Sequence, residues 1–152
     1  MNRLRPVLAA VLVVSGLGAG GWLLWHRSDC AIIEDAGQQW AALMAATNDS
    51  FDRGTFYQAE FQALADMEAK MVAALRSAAR DVSSPELAEH LDVWADSTAL
   101  NLEVQREDST AWGELPPPDV MAKLQRSQEL YLQSTDLLVQ RCPALGPKLH
   151  LA

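Results

Sequence analysis

The sequence predicts an all-α protein: an N-terminal single transmembrane helix followed by an antiparallel up-down-up-down four-helix bundle. Three observations carry that expectation. An uncharged run extends from Pro6 to Trp25, four later segments repeat apolar residues at helical spacing, and two cysteines, Cys30 and Cys142, bracket those segments. No segment alternates apolar and polar residues with a period of two, so no sheet is expected.

The run from Pro6 to Trp25 is twenty residues long and carries no charge. At about 1.5 Å of rise per residue it spans roughly 30 Å of hydrocarbon. Arg3 and Arg5 precede it, and Asp29, Glu34 and Asp35 follow. The bias of basic residues toward the inner side then places the N-terminus in the cytoplasm and the remainder outside. Trp22 and Trp25 fall where an outer aromatic belt would sit. The implied organisation is a cytoplasmic segment 1–5, a signal-anchor helix 6–27, an extracytoplasmic bundle 28–142 and a mobile tail 143–152. The competing reading is a cleaved signal peptide, because Ala19 and Gly21 have the small-residue spacing that would expose Trp22. The anchor is preferred because the apolar run continues through "WLLW" past that cut. A lipidated Cys30 is disfavoured by the polar "RSD" before it.

Gly16 and Gly20 form a GxxxG pair that would let a second transmembrane helix approach closely. Gly16, Gly18 and Gly21 also satisfy G-x-G-x-x-G, but no strand precedes them, and a dinucleotide does not bind among lipid tails.

Charge is distributed unevenly. Nine of the 12 basic residues and all 20 acidic ones lie from Ser28 onward, a formal net charge of −11 for that part. Such a surface repels a phosphate backbone, so nucleic acid is excluded as a partner.

The first bundle helix is expected over about 31–49, with Ile32, Ile33, Ala36, Trp40, Leu43, Met44 and Thr47 on one face. "NDSFDRG" reads as a break. Thr55 with Gln58 forms a capping box for a second helix to about Val82, striped by Tyr57, Phe61, Leu64, Met71, Val72, Leu75 and Ala79. "SSPE" starts the third, with Ser84 as cap and Pro85 in the first turn. Leu87, Leu91, Trp94, Thr98 and Leu102 form its stripe, which fades near Asp108. After "WGELPPPD" the fourth helix runs from about Asp119 to Arg141, its core face read as Val120, Met121, Leu124, Tyr131, Leu138 and Cys142. Pro143 ends it.

An even number of antiparallel helices returns Cys142 to the end where Cys30 starts. In an oxidising compartment the pair is expected as one disulfide, against the alternative of two free buried thiols.

Chemistry-bearing motifs are sparse. The histidines are His26, His90 and His150, and no E-x-x-H, H-E-x-x-H or C-x-x-C-H motif surrounds them. No catalytic set, metal site or cofactor is therefore expected, and the chain does not read as an enzyme. Glu68 is out of place, because it lies within about 20° of its helix's apolar line. A carboxylate there must be paired, protonated or reached by water. Asn101 and Gln105 on the third helix are its candidate partners. Either Glu68 snorkels at the stripe's edge, or the three residues form a polar core site for a small molecule, lipid or metal.

Some apolar residues exceed what one stripe per helix needs. Val93, Leu100 and Val104 gather on a second side of the third helix, and Leu130 and Leu137 lie off the core face of the fourth. Trp112 stands beside three prolines in the last loop. These six residues are candidates for a partner interface, against the alternatives of scattered surface aliphatics and of a tryptophan closing the bundle. With its alanine-rich composition, the chain reads as a single-pass protein of a bacterial inner membrane. It is expected to serve as a non-catalytic accessory or interaction subunit for another envelope or membrane protein. A ligand-binding bundle centred on Glu68 is the alternative.

Overall fold

Ser28 starts the first helix: its hydroxyl accepts the Ala31 N–H at 3.2 Å, and its carbonyl accepts that of Ile32. The computed structural model describes residues 27–52, 58–106 and 116–149. The expected anchor helix with Gly16 and Gly20, the Thr55 cap and Trp112 lie outside those residues. Among the described residues, no helix is long and apolar enough to cross a membrane.

Four helices pack together and no strand is present among the described residues. They are α1 (Asp29–Asp52), α2 (Gln58–Asp81), α3 (Pro85–Arg106) and α4 (Pro118–Arg141). Helix α1 continues into the expected break, as far as Asp52. Within it, the Thr47 and Ser50 hydroxyls donate to the Leu43 and Ala46 carbonyls at 2.9 and 3.0 Å. Ser50, within the stretch that reads as a break, is thus satisfied inside the helix. Ser84 accepts the Leu87 N–H at the start of α3, and Pro118 takes the first position of α4, where no N–H is needed.

Consecutive helices run in opposite directions. Arg76 meets Asp96 and Glu68 meets Gln105 across α2 and α3. Glu86 meets Arg141 and Ser97 meets Ser127 across α3 and α4. The core runs through Ile33, Leu43, Met71, Leu75, Leu91, Trp94 and Leu138. At mid-height Trp40, Trp94 and Tyr131 meet: Trp40 stacks on Tyr131 at 5.2 Å between centroids and meets Trp94 edge-on at 5.6 Å. These large rings fill the centre and link α1 to α3 and α4.

The region after Cys142 departs from the expected free tail. Residues Pro143–Leu149 form a 3-10 segment that packs against both α1 and α4, burying Leu145, Gly146 and Leu149. The two prolines suit a tight turn, while Leu145 and Leu149 supply an apolar side too short to register as a helical stripe. Gly37 on α1 makes room for it, because a Cβ there would collide with Leu145 Cδ1. Lys148 also reaches the Glu34 carbonyl at 3.3 Å.

Candidate functional site

Glu68 is 7% exposed, so it does not snorkel. Gln105 Nε2 donates to its Oε1 at 2.7 Å, joining the early part of α2 to the last turn of α3. Asn101, one turn earlier on α3, is half-buried and is not a partner of Glu68. Burial pushes the Glu68 carboxyl up to about 7, and the Gln105 hydrogen bond opposes that shift. Glu68 Oε2 and Gln105 Oε1 are both buried, with no hydrogen-bond partner among the described residues. Of the two partners expected from the sequence, the structure brings Gln105 to Glu68.

The second apolar side of α3 has a structural explanation. Ser97 and Ser127 hydrogen-bond reciprocally, which fixes the side of α3 that faces α4. Val104 lies seven residues beyond Ser97, on the same side to within about 20°. It is only 8% exposed, so it is a core residue and offers no surface to a partner. Val93 and Leu100 flank it and are half-buried. Helix α3 carries two apolar sides because it packs along both α2 and α4. On α4, Leu130 and Leu137 are half-buried, and Leu137 packs against the core.

The outward apolar residues are different ones. Met121 and Leu124, expected in the core, are 50% and 37% exposed, and Leu132 is 44% exposed. The core positions on α4 are instead held by Ser127, Ser134 and Thr135, with Val120 and Leu138. Periodicity counted apolar residues and passed over these hydroxyls, whose burial is offset by hydrogen bonds to the Ser97 and Tyr131 carbonyls. Met121 and Leu132 share a side with Val139 to within about 20°. Val139 packs on the core beside the C-terminal 3-10 segment, whereas Met121 and Leu132 lie farther along α4 toward its start.

The pole where α1 begins holds the remaining features. Cys30 and Cys142 form a disulfide with their Cα atoms 5.4 Å apart. Asp29 accepts hydrogen bonds from the Ser83 and Ser84 N–H groups at 2.9 and 3.0 Å and from the Ser83 hydroxyl. The Ser83 backbone bond is the main cause that holds the Asp29 carboxyl below its ordinary value, with burial opposing. Beside it, an open groove of about 690 Å³ separates α1 from α2, floored by Ile32, Ala36, Ala74 and Ala78. Arg27 pairs with Asp35 on its rim. Among the described residues no cluster of His, Cys, Asp and Glu is placed to hold a metal ion. The chain matches no protein-family model, and no curated protein or solved structure is significantly similar to it.

Proposed function

We propose that this protein is a single-pass, membrane-anchored accessory subunit of the bacterial inner membrane. Its helical bundle stands on the extracytoplasmic side and binds another envelope or membrane protein without catalysing a reaction. The observation that carries this reading is the uncovered apolar side of α4, Met121 and Leu132, with Leu124 beside it. Neighbouring exposed aliphatics on one helix side favour a partner surface over scatter. The Cys30–Cys142 bond supports an oxidising compartment, and Cys30 follows the apolar run closely.

The test is photo-crosslinking of the full chain in its native membrane. A photoreactive residue at Gln128, which lies between Met121 and Leu132 on that side, should give a discrete adduct. Met121→Glu combined with Leu132→Glu should abolish it, while a probe at Asp92 on α3 should give none. An adduct that persists in the double variant removes this surface from the proposal. A mature N-terminus at Trp22, read from the intact mass, removes the anchor.

A further inference from the structure

The hydrogen bonding around Glu68 is incomplete in a specific way. The Gln105 amide has one N–H on Glu68 Oε1, at 2.7 Å, and its own carbonyl oxygen has no donor among the described residues. The second carboxyl oxygen, Glu68 Oε2, likewise has none among them. Were the carboxyl ionised, both orphans would be acceptors and neither could satisfy the other. A carboxylic acid and a carboxamide are complementary in another way. The acid O–H donates to the amide oxygen while the amide N–H donates to the acid carbonyl, closing a ring of two hydrogen bonds with a single proton.

We propose that Glu68 and Gln105 form such a neutral acid–amide pair, with one proton on Glu68 Oε2 shared with Gln105 Oε1, and that removing this proton loosens the contact between α2 and α3. The pair joins the first half of α2 to the last turn of α3, so it acts as a proton-dependent latch at that end of the bundle. Burial favours the uncharged carboxyl, in keeping with a titration near neutrality. The charged side chains on the elements packed nearby are Asp49 and Asp52 at the end of α1, Asp66 and Lys70 on α2, Glu103 and Arg106 on α3, and Asp119 and Lys123 on α4. All but the half-buried Lys123 are exposed, and Gln105 is the hydrogen-bond partner of Glu68.

The experiment uses the full chain in detergent micelles with glutamate labelled at the carboxyl carbon. Carbon NMR should show one glutamate titrating near neutral pH, and Glu68→Gln should remove that resonance. Amide exchange in the first half of α2 and the last turn of α3, corrected for its intrinsic pH dependence, should rise with pH in the native chain. The limit is about tenfold per pH unit above the titration point. In the Glu68→Gln variant, which carries two amides and no titrating proton, that rise should vanish. Should this variant not fold, Gln105→Asn must shift the same resonance, because the shorter amide no longer reaches. Titration of every glutamate in the ordinary carboxylate range overturns the proposal, as does an identical exchange profile in both chains. A sodium- or ammonium-sized adduct in native mass spectra that disappears in Glu68→Gln also overturns it, since a cation would then fill the site.

Discussion

Ser97 and Ser127 exchange hydrogen bonds across the junction of α3 and α4, each hydroxyl donating to the other residue's backbone carbonyl at 2.9 Å. That reciprocity requires two short side chains and brings the helix backbones close together. Ser127→Leu should therefore force the helices apart and cost about 1–3 kcal/mol or more, whereas Ser127→Ala should cost about 1 kcal/mol. Urea titration of the three chains checks the order; equal losses for Leu and Ala would show that the close approach is not required.

Reduction of the disulfide should cost more than either serine substitution. The Cys30–Cys142 bond closes a separation of 112 residues, and restricting the unfolded chain over such a loop is worth about 4–5 kcal/mol in the loop-closure account. Thermal unfolding with and without reductant measures the loss. Alkylation of the native chain should label neither cysteine until reductant is added.

Two carboxyls should shape stability against pH from opposite sides. For Glu68 the folded value, about 7, lies above the ordinary value of 4.5. Its contribution is therefore complete below the lower value and lost as pH rises through the higher one, by up to about 3 kcal/mol. Denaturation midpoints should fall across that interval, and Glu68→Gln should flatten the fall.

Asp29 acts in the acid range. Its folded value is lowered, so its contribution is present above the ordinary aspartate value and fades as pH drops through the lowered one. Asp29→Asn should make the acid side of the stability curve shallower and leave the alkaline side unchanged. Because Asp29 is only half-buried, solvent screening keeps this effect smaller than that of Glu68.

Gly37 offers a test of the C-terminal segment. Gly37→Val should dislodge Leu145 and cost about 1–3 kcal/mol, with increased amide exchange over residues 143–149 as the local signature. Normal exchange there would mean that the segment accommodates the added bulk.

The helical class, the order of four helices and the cysteine pairing were legible because each rests on strong local signals. Ile33, Trp40 and Leu43 recur at helical spacing, Ser84 and Pro85 mark a start, and an even helix count returns Cys142 to Cys30. Glu68 was legible for the opposite reason, as one charge that broke an apolar pattern. Ser127, Ser134 and Thr135 were missed because burial of a hydroxyl depends on a carbonyl supplied by tertiary structure or by the preceding turn. Their polarity pushed the inferred core face of α4 toward Met121 and Leu124. Val104 was misread since nothing in one helix tells how many neighbours it will have. The packing of Leu145 and Leu149 was hidden by their brevity, as two leucines between prolines carry no period.

The covalent bond between Cys30 and Cys142 has a mechanical consequence. A pull on the chain beyond Cys142, opposed by a grip on the chain before Cys30, would travel through two sulfur atoms. The helices between them would hang from that bridge as an unloaded loop. Tension along the polypeptide could strip away the short segment after Cys142, yet it could not unravel the bundle until the bridge itself was cut.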